Sequence, residues 1–259
     1  MLRTENISYI VGKKQILKNI SLEFAPGEFN MILGPNGSGK SSFLKIFCGE
    51  IPDHQGHVYY ENNELGSLKK EALARKRAVM SQQPELNFPL SVEEVVMMGR
   101  YPHFTFDPHA NDIKICNEVI ERMTLQSFRE RNYLTLSGGE KQRVQFARVL
   151  AQVWEIPSSD TRFLFLDEPL TSLDISYQQE FLQIVKSFLQ ERTVIAAVIH
   201  DINLAIQFAD KLFFFKDGEL AALGKPSAIL TEKLIEDIFG VKTTIINNPV
   251  TGSPLVVYN

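Results

Sequence analysis

Residues 34 to 41 run Gly34-Pro35-Asn36-Gly37-Ser38-Gly39-Lys40-Ser41, three glycines followed by a cation and a hydroxyl. A nucleoside triphosphate carries several negative charges, so its site needs many donors in a small volume. Gly34, Gly37 and Gly39 let the backbone approach closely and turn N–H groups inward, with Asn36 and Ser38 between them. A helix after the loop adds the positive end of its dipole. Lys40 supplies a point charge for the β and γ phosphates, the Ser41 hydroxyl suits Mg²⁺, and Ser42 is placed toward the α-phosphate. Alone, this spacing serves many unrelated ATPases and GTPases. Asp167 closes the apolar run Phe163-Leu164-Phe165-Leu166, which puts its carboxylate at a strand's C-terminal end, where α/β sheets place ligands and where it can hold Mg²⁺ through water. Glu168 follows directly, so the two carboxylates are either a base beside a metal ligand or a surface acidic pair before Pro169. His200 ends the run Thr193 to Ile199, as a structural histidine or as a partner for phosphate and water.

These groups need elements to position them. Apolar runs at Leu17 to Phe24 and Phe29 to Leu33, broken by Pro26-Gly27, predict two strands with a turn between, the second running straight into the glycine loop. Ser42 to Phe47 has helical spacing and stops at Gly49. From about Pro84 to Gln152 the pattern turns helical, with Val92 to Met98, Ile113 to Met123 and Glu140 to Gln152 as helices. Strand-type runs return at Phe163 to Leu166, Thr193 to Ile199 and Leu212 to Phe215, with helical patterns between them, as in a largely parallel sheet covered on both faces. Asp217-Gly218 reads as a hairpin turn, and Thr243 to Tyr258 as a small β or loop appendage of no legible role.

Downstream of the glycine loop come Leu136-Ser137-Gly138-Gly139-Glu140-Lys141-Gln142-Arg143, then Asp167-Glu168-Pro169 and the late His200. In order and spacing this set resembles the ATP-binding-cassette ATPases. The resemblance implies an α/β fold: a P-loop NTPase core with an antiparallel β subdomain and an inserted α-helical subdomain. Residues 1–259 form one such domain, with the core in 1–83 and 156–259 and the insertion in 84–155. It also implies ATP and Mg²⁺ as the bound species, Glu168 as the base that polarises the attacking water, and His200 as a contact to the γ-phosphate. Gln82 is similar to the glutamine that senses Mg²⁺ and water, and it fits better than Gln83 because the family places its glutamine directly after the strand, here Val79-Met80-Ser81. Ser137, Gly138 and Gly139 open a helix and make a second anion site in one chain. In the family this site closes over ATP held by another subunit, so a head-to-tail pair of copies is implied, with Ser172-Leu173-Asp174 crossing the interface. Asp-Glu-Pro is followed by Leu170 where the family commonly has threonine, which leaves the carboxylates unchanged. The family's adenine-stacking aromatic falls at Val11, so Tyr9, two residues earlier on the same face, is the alternative, either as the stacking ring or as an ordinary strand aromatic.

Leu90 to His103, with Gly99-Arg100-Tyr101-Pro102, resembles the helical subdomain of importers for iron siderophores, haem and cobalamin. The extra residues Ala151 to Arg162, including Trp154, look most like haem-importer ATPases. Such a chain is a motor on the cytoplasmic side of the inner membrane. It docks on integral permease subunits near Gln82, serves a periplasmic cargo-binding protein indirectly, and touches no cargo itself, so haem ligation by His103 or His109 does not follow. Ferric siderophore or cobalamin import is the alternative, and an exporter subunit a more distant one.

The 259 residues are 44% hydrophobic, enough for a sizeable core, and the net charge of −4 argues against a broad surface for nucleic acid. No apolar run reaches the ~18 residues that span a bilayer, and Met1 to Glu5 lacks a signal peptide's apolar stretch, so a cytosolic chain is expected. Cys48 and Cys116 lack metal-ligand spacing and read as buried thiols. His54 and His57, with no further ligand near, are not expected to bind metal.

Overall fold

Alternating burial makes the first two strands a hairpin. In the computed structural model, which describes residues 1–81, 86–157, 159–171 and 173–259, β1 (Leu2–Val11) pairs antiparallel with β2 (Lys14–Phe24). Leu2, Thr4 and Ile7 of β1 turn inward, as do Leu17, Ile20, Leu22 and Phe24 of β2. β2 begins before the apolar run seen in the sequence because exposed Lys14 and Gln15 are held by pairing with Val11 and Ile10 and need no burial. The described residues form two compact units, one of residues 1–67 and 183–259 and one of residues 68–182. In the first, β3 (Phe29–Leu33) leads into the glycine loop and α1 (Lys40–Phe47), then β4 (Gln55–Tyr60) and β5 (Asn63–Glu64). β4 adds to β1 and β5 to β4, completing the antiparallel sheet β2-β1-β4-β5.

The second unit is mainly helical. Its elements are α2 (Lys70–Lys76), β6 (Arg77–Met80), α3 (Val92–Met97), α4 (Ala110–Arg122), α5 (Gly138–Gln152) and β7 (Arg162–Asp167). Ser91 starts α3 with a capping box, its hydroxyl accepting from the Glu94 N–H while the Glu94 carboxylate accepts from the Ser91 N–H. Val92, Val95 and Val96 of α3, Ile115, Val119 and Ile120 of α4, and Val144, Phe146 and Leu150 of α5 form the shared apolar interior. β6 and β7 pair in parallel from Arg77 with Phe163 to Met80 with Leu166. α6 (Ile175–Phe188) begins in this unit and ends in the first.

Back in the first unit come β8 (Thr193–Val198), α7 (Ile202–Phe208), β9 (Lys211–Lys216), β10 (Glu219–Gly224), α8 (Pro226–Ile229), α9 (Glu232–Phe239), β11 (Thr243–Asn247) and β12 (Pro254–Tyr258). β3 lies between β8 and β9, parallel to both, and every residue of β3 and β8 is buried, as their unbroken apolar sequences require. Asp217 and Gly218, at φ 48° and 81°, form the turn to the antiparallel β10. β11 and β12 make a separate two-stranded hairpin. Among the described residues no helix is long and apolar enough to cross a membrane.

Candidate functional site

The glycine loop is braced from below. Phe24, Phe43, Phe47, Phe213 and Phe215 pack ring against ring at centroid distances of 4.8 to 5.6 Å, fixing α1 over β2 and β9. Each such pair adds about 0.5–1.5 kcal/mol beyond its buried area. Gly34 sits at φ 150°, and a Cβ there would lie 2.2 Å from the Phe215 carbonyl oxygen, so only glycine permits the strand to enter the loop this closely. The Asp217-Gly218 turn supports the far side: the Gly218 N–H donates to the Ser38 carbonyl at 3.2 Å, and the Lys18 N–H to the Gly218 carbonyl at 2.8 Å.

This loop fits a phosphate chain. Lys40 is 5% exposed, and its ammonium donates to the Gly34 and Pro35 carbonyls at 2.8 and 2.9 Å, which holds the charge over the loop. The Ser38 hydroxyl is buried without a hydrogen-bond partner, a costly arrangement unless a ligand oxygen completes it. α1 starts from Gly39 with no side-chain cap hydrogen bond, and a helix N-terminus of this kind favours an anion. Asn36 and Gly37 are exposed on the loop's outer turn, and Ser41 and Ser42 are half-buried in the first turn of α1. In the same unit, β8 is buried through Ile199 and the chain then emerges at an exposed His200. Asp201 caps α7, its carboxylate accepting from the Leu204 N–H at 2.9 Å. Val11 and its neighbour Ile10 are both 53% exposed, whereas Tyr9 is half-buried opposite Leu17.

In the second unit Asp167 is buried at the end of β7, and Glu168, half-buried, has φ 51°. A non-glycine residue in this left-handed region costs about 1–2 kcal/mol, and such strain collects at functional positions. Two bonds hold the turn: the Thr171 hydroxyl donates to the Glu168 carbonyl at 3.0 Å, and the Gln142 amide donates to the Pro169 carbonyl. Gln142 lies on α5, so the carboxylate turn and the helix opened by Ser137 are tied together. Ser137 and Gly138 are exposed, Gly139 is half-buried, and Ser137 closes a capping box with Glu140. The Glu140 carboxylate accepts from the Ser137 N–H at 2.7 Å, and that bond together with the Ser137 hydroxyl holds it below the usual carboxylate range. The Ser-x-x-Glu spacing was a readable signal for this cap.

The residues from Gly99 to His103 close the other end of α5. A Cβ on Gly99 would meet the Arg148 carbonyl oxygen at 2.1 Å, so glycine is required for this approach. Arg100 donates to the Ala151 carbonyl at 2.8 Å and pairs with Asp112 at 2.9 Å, both side chains 4% exposed. His103 bonds the Gln152 carbonyl at 2.8 Å, and burial lowers its pKa. A cation and a ring N–H on the last carbonyls of a helix complement its dipole. The segment with Trp154 laces this unit together. The Trp154 indole donates to Glu118 on α4 at 2.9 Å, Lys76 on α2 pairs with Asp160 at 2.9 Å, and Arg162 donates to the Trp154 carbonyl at 2.8 Å. Burial brings the Arg162 pKa down to about 10.

Gln82, Gln83 and Ser172 lie outside the described residues. Leu173 is buried, and Asp174 accepts from the Tyr177 N–H at 3.0 Å. His54 bonds the Ile51 carbonyl and His57 pairs with Glu64. Cys48 and Cys116 are buried, and burial pushes the Cys116 thiol up to about 12.

A sequence model of the family described as ABC transporter matches residues 17–171. The Hemin import ATP-binding protein HmuV of Gloeobacter violaceus is 41% identical over 257 residues, covering 99% of this chain and 94% of the relative. Its namesake in Escherichia coli O157:H7 is 38% identical, covering 99% of each. Among solved structures, the ATP-binding cassette MJ0796 in a dimeric post-hydrolysis state bound to ADP and Pi superimposes with TM-score 0.73 at 30% identity, over 87% of this chain and 98% of that one.

Proposed function

The chain belongs to the ABC transporter family, and from that premise we propose that it is the subunit whose ATP hydrolysis drives haem import through a membrane permease. The observation that carries the cargo is the near-full-length likeness to hemin import ATP-binding proteins, reinforced by the Trp154 to Arg162 segment. ATP binding is supported by the loop with its buried, unpartnered Ser38 hydroxyl and its positioned Lys40.

In this reading Gly34, Asn36, Gly37, Ser38 and Gly39 present loop donors to the phosphates. Lys40 meets the β and γ phosphates with its charge, and Ser42 takes the α-phosphate side. Ser41 and Asp167 would hold Mg²⁺, with Gln82 as a further ligand, and the ion when bound neutralises phosphate charge. Glu168 takes the proton of the attacking water, and His200 donates a hydrogen bond toward the γ-phosphate. Ser137, Gly138 and Gly139 receive the nucleotide of a second copy, giving a head-to-tail pair. Residues 84–155 act as the inserted helical subdomain of the core formed by 1–83 and 156–259. The pair works peripherally on the cytoplasmic side of the inner membrane, on permease subunits fed by a periplasmic cargo-binding protein.

The test is growth on haem as sole iron source. A strain lacking the gene should fail, and Lys40→Ala should not restore it. Normal haem use by the deletion strain, with no second haem importer present and with siderophore or cobalamin uptake lost instead, would overturn the cargo.

A further inference from the structure

A two-stranded ribbon is marginal by itself, so the hairpin of β11 and β12 must be held by the elements it touches. Its inner residues are Val256, 2% exposed, and Thr243, 5% exposed. Val256 is held by one side chain. The Asn203 amide donates to its carbonyl at 3.0 Å and accepts from its N–H at 2.9 Å, the pair of bonds a neighbouring strand would supply. A second tie joins the Glu232 carboxylate of α9 to the Ile245 N–H at 3.1 Å.

Asn203 stands in the first turn of α7, just after the exposed His200 and the capping Asp201. Ile202, Leu204, Ala205, Ile206 and Phe208 of α7 are buried, which fixes the helix against the unit, and polar contacts add to that packing at its start. These contacts include the Asp201 cap and the Asn203 pair with Val256. Burial, followed by the Asp201 charge, raises the pKa of Tyr258, the last residue of β12.

We propose that the C-terminal hairpin is the positioning element for His200, acting through the Asn203 bonds to Val256. This rests on the reading of His200 as the γ-phosphate contact. Asn203 itself touches no nucleotide and is a positioning residue. It sets the direction of the α7 start and with it the angle at which the imidazole leaves β8. The tail is therefore a handle on hydrolysis, distant in sequence from the phosphate loop.

The experiment measures ATP turnover of the full chain in complex with its permease, for wild type, Asn203→Ala, His200→Ala and the double variant. Asn203→Ala should lower kcat by ~10-fold with KM for ATP within about twofold, as expected for a group that acts on the transition state rather than on binding. In the His200→Ala background the same substitution should change kcat by less than about twofold, because residues acting through one another do not add. Asn203→Asp, which keeps the acceptor for the Val256 N–H but repels its carbonyl, should also lower kcat at unchanged KM, and it serves if the alanine variant fails to fold. Wild-type kcat in Asn203→Ala and Asn203→Asp, or an equal loss with and without His200, overturns the inference and leaves the His200 reading intact. Wild-type turnover in His200→Ala overturns both.

Discussion

Replacing Arg100 by methionine removes a buried charge from the end of α5 and leaves its partner behind. In the native chain the guanidinium pairs with Asp112 at 2.9 Å and donates to the Ala151 carbonyl at 2.8 Å, with both charged side chains 4% exposed. Methionine keeps most of the apolar stem, so the loss is electrostatic. Breaking a buried pair by removing one partner costs about 3–5 kcal/mol, because the remaining carboxylate must stay unpaired out of water. With a urea slope of about 2 kcal/mol/M, the midpoint should fall by about 1.5–2.5 M. The chain has one tryptophan, Trp154, bonded within the same unit, so its fluorescence reports the unfolding directly. Removing both charges as Arg100→Met with Asp112→Leu should recover much of the loss. A deficit of about 1 kcal/mol should remain because Asp112 also accepts from the His109 N–H at the start of α4. A midpoint for Arg100→Met within about 0.5 M of wild type would refute the view that this pair clamps α5.

Other outcomes follow from the same geometry. Glu168→Gln should keep ATP binding and lower turnover by about 10²- to 10⁴-fold, and steady-state rates within a few-fold of wild type would remove Glu168 as the base. Ser137→Arg in the Glu168→Gln background should elute as a monomer with ATP in gel filtration, since a bulky cation would fill the anion site proposed at Ser137 to Gly139; a stable ATP dimer would contradict the proposed pairing. His103→Gln retains a donor for the Gln152 carbonyl and removes a titrating group. The folded-state pKa of His103 lies below its unfolded value, so between the two the unfolded chain binds the extra proton and stability is lost as pH falls through about 6.5. Comparing urea midpoints at neutral and mildly acidic pH should show a smaller drop in the variant, and equal drops would exclude the ring.

The glycine loop between β3 and α1 was legible in the sequence because its glycines stand at fixed spacing after an apolar run, and the Asp217-Gly218 turn because few residues accept its backbone. Element ends were less so. α3 stops at Met97 and the chain continues as a tighter 3₁₀ turn over Met98–His103, since Gly99 must approach the Arg148 carbonyl, a contact invisible to local pattern. α4 starts at Ala110, ahead of the apolar Ile113, because Asp112 accepts from the His109 N–H and stabilises the added turn. The motif Gly99-Arg100-Tyr101-Pro102-His103 could be singled out, but its work at the end of α5 depends on partners far along the chain. The same is true of Asn203 and Val256. The strain at Glu168 has no sequence signature, because it is imposed by the turn around it.

Cargo selectivity is read from ATP hydrolysis by the complex of this chain with its permease in lipid, presented in turn with binding protein loaded with haem, ferric siderophore or cobalamin. Haem should raise turnover several-fold over the unloaded protein, the other cargoes should leave it near the basal rate, and Glu168→Gln should abolish the response. Stimulation by siderophore or cobalamin with none by haem would contradict haem as the cargo.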